Sequence, residues 1–385
     1  MAYTSDLIRN VALAGHGSTG KTTLVEHLLF SAGAISKPEL LESGKTVSDY
    51  YDEEVERKIS VHTALTHAEW NNRKINILDT PGSSDFVGDV ILALRSSEST
   101  LVILDGRSGV QIETIKAWRS LDLRKKPRMV FVNKLDEERA SYSTSVADIH
   151  DKFKANTVSI TIPMGDGAAF KGVIDVLNQK AYTVPASHDT KETASAVPEE
   201  FKTAVEDARA ALAEAAADGD DELMEKYLLE GELSQEEIKK GLSEGLAENR
   251  VVPVFAGSAL RNSGMVAFLD FMVSIAPSPL HRPPETVKNT AGEEIQIRVD
   301  KTAPLAALVI KTQIDQFSGR LSYVKVIGGV LTSDSEFLNV REGKKEKVVK
   351  LYTAQGKKLE EVKEVCAGDI GILSKSQSLR TSDSL

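Results

Sequence analysis

One cysteine, Cys366, is all that the chain's 385 residues contain. An intrachain disulfide framework is therefore excluded, and the composition fits a reducing compartment. We read Cys366 as a small core residue. Long apolar runs are missing too: no stretch of about 18 apolar residues occurs, the length a spanning helix needs. Residues 1–10 lack the basic segment followed by an apolar one that marks a secretory signal. A soluble, cytoplasmic protein with no membrane partner is expected. An excess of basic charge is also absent. The net charge of −10, spread evenly, would argue against a simple electrostatic nucleic-acid binder. It is not spread evenly. Residues 198–249 carry 16 acidic against 5 basic side chains, and outside them the chain is close to neutral. One acidic module sets the apparent acidity and leaves room for contact with phosphate backbones elsewhere.

What the chain does contain is organised around Gly15, His16, Gly17, Ser18, Thr19, Gly20, Lys21 and Thr22, a G-x-x-x-x-G-K-[ST] loop. It lies between the apolar run 11–14 and a helical stretch opened by Thr23. Glycines let successive backbone N–H groups converge into an anion-binding nest, and the helix N-terminus adds positive dipole there. Lys21 is placed to reach the β/γ-phosphates and the Thr22 hydroxyl to ligate Mg²⁺. The blander alternative is a glycine-rich turn that binds nothing.

Up to about residue 155, β-rich runs at 11–15, 75–79, 100–105 and 129–133 alternate with longer helical segments. This predicts an α/β fold, a mostly parallel sheet with flanking helices, whose ligand groups sit past the carboxyl ends of the strands. The polar, charge-rich residues 36–67 read either as a solvated loop or as a switch segment that orders around a γ-phosphate and Mg²⁺, with Ser60 as its metal-binding hydroxyl. At the end of the second run, Asp79-Thr80-Pro81-Gly82 places Asp79 near Mg²⁺ and the Gly82 N–H near the γ-phosphate. Alone, it could be an ordinary turn.

Asn133-Lys134-Leu135-Asp136 distinguishes purines. The Asp136 carboxylate accepts only, so it can take two parallel bonds from guanine N1–H and the exocyclic amine, which adenine cannot offer. Asn133 is assigned to guanine N7 and the loop, and the Lys134 stem to the base face. Gly257, Ser258 and Ala259, after the apolar run 251–255, are expected to present backbone N–H to guanine O6. The nucleotide is thus GTP or GDP with Mg²⁺, and the metal ligands are Thr22, Ser60 and Asp79.

More than a hundred residues separate these last two motifs, which implies an insertion. It has expected strands at 158–163 and 170–177 and then helices: Pro198 suits a first helical position, and Ser234-x-x-Glu237 is a capping box. Its acidic helices are either solvated faces or a docking surface for a basic partner. The proline-rich residues 277–284 mark a semi-rigid linker. Beyond it, strands at 304–311, 319–327, 336–340, 347–352 and 369–373, joined by turn signals at 328–329, 342–343 and 355–356, read as a small antiparallel β-barrel. The expected division is a nucleotide-binding domain at 1–157 and 246–280, an inserted acidic subdomain at 158–245 and a barrel at 281–385.

These motifs, with Glu56-Arg57-Lys58-Ile59-Ser60, Gly172-Val173-Ile174-Asp175-Val176, Phe317-Ser318-Gly319-Arg320-Leu321 and Ala367-Gly368-Asp369, resemble the translational GTPases, most closely the N-terminal part of the elongation factor G family. The resemblance covers nearly the whole chain. It implies a ribosome-stimulated GTPase contacting rRNA and ribosomal proteins, stalk proteins through the insertion among them, and acting as a monomer. It also implies that the chain is a piece of a longer protein, since the family carries three further domains.

Three positions depart from the family. Ser83 stands where a histidine orients the attacking water, and a serine is shorter and no comparable proton carrier near neutral pH. Ser18 replaces an aspartate, which argues against a bound monovalent cation. Ser60 replaces a threonine and keeps the hydroxyl. The candidate catalytic residues are Lys21, Gly82 and Ser83. Divergent elongation-factor-G-like paralogues share this pattern, and three readings stay open: a working ribosomal GTPase, a slowly hydrolysing GTP-dependent ribosome binder, and a GTP sensor in another assembly.

Overall fold

Apolar runs that end in a glycine or polar residue become strands of one sheet covered on both faces, as buried parallel strands must be. In the computed structural model, which describes residues 3–288, 292–315, 319–376 and 378–385, the first part of the chain runs β1 (Ile8–Ala14), α1 (Lys21–Ala32), α2 (Asp52–Arg57), β2 (Ala64–Trp70), β3 (Arg73–Asp79), α3 (Val87–Ser96), β4 (Ser99–Asp105), α4 (Ile112–Leu123), β5 (Arg128–Asn133), α5 (Tyr142–Phe153), β6 (Thr157–Ser159), β7 (Thr161–Pro163), β8 (Gly172–Asp175), β9 (Lys180–Thr183), β10 (Ala194–Ser195), α6 (Lys202–Ala217), α7 (Asp221–Glu230), α8 (Gln235–Ala247), β11 (Val252–Ala256) and α9 (Met265–Ser274). The seven-stranded sheet has the order β2-β3-β1-β4-β5-β11-β6. Only the β2–β3 pair is antiparallel; β1, β3, β4, β5, β11 and β6 run parallel.

Side chains alternate across this sheet. Val11, Leu13, Ile75, Ile77 and Phe131 pack with Leu24 and Leu28 of α1 and Phe268 and Met272 of α9. From the opposite face, Ala12, Leu78, Val102 and Val130 meet Leu94 of α3, Trp118 and Leu121 of α4 and Ile149 of α5. The strand ends β1, β3, β4 and β5 consequently converge on one edge, where the loops carrying the motifs begin.

Several expectations need correction. The stretch 158–163 is two strands: β6 pairs with β11 in the large sheet, whereas β7 pairs with β8 in a separate four-stranded sheet, β10-β9-β8-β7. A period-two apolar pattern does not reveal that the chain changes partners at Ile160. Of the two readings of residues 36–67, the solvated loop does not fit: the segment contains α2 and the start of β2, and Ser48, Asp49 and Glu54 are buried. The Glu54 carboxylate accepts the N–H groups of Tyr51, Val61 and His62 and so ties the segment to itself. Pro198 precedes a 3-10 turn, Glu199–Phe201, and α6 begins only at Lys202. Ser234 does cap α8, its hydroxyl taking the Glu237 N–H while the Glu237 carboxylate takes the Ser234 N–H; α8 continues to Ala247, past the expected boundary at 245.

The second part contains β12 (Glu285–Lys288), β13 (Glu294–Ile297), β14 (Ala306–Asp315), β15 (Gly319–Gly328), β16 (Val330–Thr332), β17 (Glu336–Asn339), β18 (Lys344–Lys347), β19 (Lys350–Gln355), β20 (Lys358–Glu361), β21 (Glu364–Cys366) and β22 (Ile370–Ser374). An antiparallel five-stranded sheet, β14-β15-β22-β19-β20, and the ribbons β16–β21 and β17–β18 enclose a core of Val309, Val324, Leu331, Phe337, Leu351 and Leu373. Each expected turn falls between two strands. The strand expected at 347–352 is the end of β18 and the start of β19, because Val348 turns inward between them. Cys366 is half-buried at the end of β21 and not in the core. Phe317 and Ser318 lie outside the described residues.

The expected linker is wedged between the two parts: Pro279 packs where a Cβ on Gly368 would stand 2.6 Å away. A buried polar seam continues this contact. Lys74 and Asn76 of β3 donate to the Asp369 carboxylate at 2.8–3.0 Å. Lys325 of β15 pairs with Glu98 at 3.0 Å and donates to Gly368 O at 2.8 Å. Among the described residues, no helix is long and apolar enough to cross a membrane.

Candidate functional site

The loop from Gly15 to Gly20 wraps the N-terminus of α1. Gly20 sits at φ +92°, and a Cβ there would stand 2.4 Å from Asn133 Nδ2, so both the backbone and the approach of Asn133 require glycine. Lys21 is buried, and its Nζ donates to Gly15 O at 3.2 Å and His16 O at 2.9 Å. Burial pushes its ammonium down to about 8, with the charges of Asp79 and Asp49 opposing. The Thr19 hydroxyl donates to His16 O at 3.0 Å, bracing the loop.

Three segments meet beside Lys21. Thr22 Oγ1 donates to Asp79 Oδ2 at 2.8 Å and lies 3.2 Å from Ser60 Oγ. The expected metal ligands therefore stand together, although they come from α1, the end of β3 and the segment after α2. Asp49 joins them, interacting with the hydroxyls of Ser60 and Thr22. Burial raises the pKa of both carboxyls, and Asp79's charge raises that of Asp49 further. Asp79 Oδ1 is buried without a hydrogen-bond partner. An orphaned carboxylate oxygen, a second carboxylate and two hydroxyls form an all-oxygen donor set suited to Mg²⁺. Among the described residues there is no cluster of three or more histidine, cysteine or carboxylate side chains for a metal.

Gly82, just past the end of β3, closes over the loop. A Cβ on it would lie 2.6 Å from Lys21 Nζ and 2.8 Å from Gly17 Cα, so only glycine brings this backbone so near. Ser83 follows at the rim of the site: its hydroxyl caps the turn Ser84–Phe86, accepting the Asp85 N–H at 3.4 Å and lying 3.3 Å from Asp85 Oδ2. A cleft of about 500 Å³ is lined by these residues, with Thr23, Asp49, Lys58, Glu113 and Lys134.

The base side is assembled from β5 and β11. Asn133 Nδ2 donates to Thr19 O at 2.8 Å, and its Oδ1 accepts the Ala259 N–H at 2.8 Å. One side chain ties the phosphate loop to the fifth motif. Lys134 donates to Ser18 O at 2.7 Å and pairs with Asp105 Oδ2 at 3.0 Å, which lays its stem along the cleft. Asp136 is half-buried at the following turn. The amides of residues 257–259 are engaged otherwise than expected. Gly257 N–H donates to Val132 O, Ser258 N–H to Ser263 O and Ala259 N–H to Asn133 Oδ1. They serve the loop's own architecture, because buried donors must find partners.

The expected reading missed how far residues 51–65 are tied to the barrel. Tyr51 donates to Gln313 Oε1 at 2.5 Å, Lys311 Nζ donates to Thr63 O at 2.8 Å, and Gly356 N donates to Leu65 O at 2.9 Å. Lys311 lies over the rings of Tyr51 and Tyr323 at 5.8 and 5.6 Å. No local motif signals these residues.

A phosphate loop, two oxygen-bearing switch segments and a purine-side Asn-Lys-x-Asp turn, all at the carboxyl ends of one parallel sheet, define a P-loop domain of the guanine-nucleotide type. The chain belongs to the family of the elongation factor Tu GTP binding domain, whose model matches residues 6–278, and residues 304–385 match the model of elongation factor G domain 2. It is 37% identical over 372 residues to elongation factor G of Mycoplasma pneumoniae, an alignment covering 96% of this chain and 54% of that protein. A crystal structure of a Thermus thermophilus protein superposes with a TM-score of 0.85 at 30% identity, covering 98% of this chain and 54% of the other. The chain thus spans about half the length of the relatives it matches.

Proposed function

We propose that this chain is the nucleotide-binding and barrel portion of a translation factor resembling elongation factor G, which binds and hydrolyses GTP on the ribosome to drive a conformational step such as translocation. The meeting of Thr22, Ser60 and Asp79 carries this reading, since it joins the phosphate loop to both segments that would sense a γ-phosphate. The division into a nucleotide-binding domain at 1–157 and 246–280, an acidic insertion at 158–245 and a barrel from 281 belongs to the same reading. So do a cytoplasmic location, a monomeric state and ribosomal partners, including stalk proteins at the insertion.

In this reading Gly15 to Thr23 bind the phosphates and Lys21 neutralises charge developing on the leaving oxygen. Thr22, Ser60 and Asp79 would hold Mg²⁺, which supplies further charge neutralisation. The Gly82 N–H orients the γ-phosphate. Water attacks the γ-phosphorus, the bond to the β–γ bridging oxygen breaks, and GDP and phosphate leave. Asn133, Lys134 and Asp136 select guanine, with the loop from Gly257 through Ser258 to Ala259 holding Asn133 in place.

A second reading, a slowly hydrolysing GTP-dependent ribosome binder acting in recycling, protection or regulation, draws on Ser83, whose hydroxyl is engaged by Asp85 and is no proton carrier. Single-turnover GTP hydrolysis by this chain and its Ser83→His variant, with and without ribosomes, decides between them. Ribosome stimulation of the unaltered chain supports the first reading, and a rate that ribosomes leave unchanged overturns it. Slow turnover accelerated roughly 10²-fold or more by Ser83→His supports the second.

A further inference from the structure

The insertion reaches back into the nucleotide-binding domain through residues 188–192, on the side away from the phosphates. Glu192 is the centre of this contact. Its carboxylate accepts the N–H groups of Gly264 at 2.7 Å and Val266 at 2.9 Å, and that of Met265 as well. These are the first amides of α9, whose N-cap position is a glycine with no side chain to cap them. Helix N-termini leave such donors unsatisfied, and a carboxylate both satisfies them and complements the dipole. Here the cap comes from 72 residues away in sequence.

Two neighbours strengthen the contact. Thr190 O accepts Asn262 Nδ2 at 2.8 Å, and the Ser31 hydroxyl at the end of α1 donates to Asn262 Oδ1 at 3.1 Å. Lys191 Nζ donates to Ser31 O at 3.3 Å and lies 5.7 Å from the Phe30 ring. One short segment of the insertion thus fastens the far end of the phosphate-loop helix and the loop 257–264. That loop is the one whose Ala259 N–H meets Asn133.

We propose that Glu192 is a positioning residue for guanine recognition, through which the insertion sets the rate at which guanine nucleotide leaves. This rests on the guanine-nucleotide reading of the site. Without its cap, α9 and the loop before it lose their fixed origin, and the Ala259–Asn133 bond that aligns the base side loosens. The phosphate side is held by α1 and the sheet, and keeps its geometry.

The test is stopped-flow release of a fluorescent GDP from the intact chain in Mg²⁺, paired with competition by Mg-pyrophosphate, which reports the phosphate side alone. Glu192→Ala is expected to speed release roughly 10- to 100-fold, the equivalent of a lost charge-assisted hydrogen-bond set, with pyrophosphate competition unchanged. Glu192→Gln, which keeps an acceptor oxygen, should restore release to within a few-fold of the unaltered rate. Unchanged release in Glu192→Ala overturns the proposal. So does a parallel loss of pyrophosphate competition, which would mean general loosening. Should Glu192→Ala fail to fold, Asn262→Ala is read in the same way. An unaltered chain that binds no GDP would overturn the guanine-nucleotide reading itself, a result distinct from all of these.

Discussion

Thr22 Oγ1 donates to Asp79 Oδ2 across 2.8 Å, and this bond links the start of the phosphate-loop helix to the end of β3. With Ser60 Oγ 3.2 Å from the same hydroxyl, a single divalent ion could engage both switch segments. Asp79→Asn should therefore leave GDP bound but raise the Mg²⁺ concentration needed for GTP binding and hydrolysis by roughly tenfold or more, the loss of one of the few carboxylates such a site uses. Titration of Mg²⁺ against nucleotide fluorescence checks this, and an unshifted midpoint would remove Asp79 from the metal site.

In the proposed reading, Asp136 selects the base. Asp136→Asn exchanges an acceptor for a donor, so GTP affinity should fall roughly 10- to 100-fold, the worth of its charge-assisted bonds. Affinity for xanthosine triphosphate should rise, because the amide now offers a hydrogen to the 2-oxo group. Equal GTP binding by the two proteins would sink the guanine assignment.

Lys311 fastens residues 51–63 to the barrel. Burial pushes its ammonium down to about 8, against the pull of Asp89 and Glu54. Replacement by methionine keeps the stem and removes a costly buried charge, so global stability should change little. The carbonyl of Thr63 loses its donor, however. Amide hydrogen exchange across residues 50–63 should quicken in Lys311→Met while the strands of the large sheet stay protected. Equal exchange in both proteins would mean that the switch is held without the barrel.

Asp369 should control acid stability. Burial alone would raise its carboxyl, but the charge of Lys74 and the hydrogen bonds of Lys74 and Asn76 outweigh it and hold the pKa below the ordinary carboxylate value. A carboxyl depressed in the folded state stabilises above its unfolded pKa, and that contribution disappears as pH falls through the folded value. Asp369→Asn leaves Lys74 uncompensated and should cost about 3–5 kcal/mol at neutral pH. Urea melts should show the gap between the two proteins narrowing as pH drops below about 4. A gap independent of pH would assign the loss to packing.

The motifs were legible because each packs its chemistry into a few consecutive residues at a strand end. The strands β1, β3, β4 and β5 were legible for a related reason: buried on both faces, they read as apolar runs. What stayed hidden depends on partners distant in sequence. Glu54, although its partners lie within eight residues, looks like one more charge in a polar stretch, and only folding shows it gathering three backbone N–H groups. Ala259 lies beside the Asn133 turn, and its amide donates to Asn133 rather than facing outward. Glu192 and Lys311 carry no local signature, since the helix and the switch that they hold are supplied by other parts of the chain.

The seam of Lys74, Asn76 and Asp369 with Glu98 and Lys325 also bears on how such a protein can be recombined. Charges sealed between two modules are safe only while both faces are present. Cutting the chain at the proline-rich stretch would strand an ammonium group on one piece and a carboxylate on the other. Grafting a barrel from a relative would succeed only if the graft brought a matching carboxylate for Lys74 and a cation for Glu98. The nucleotide-binding domain and barrel are thus, chemically, one heritable unit.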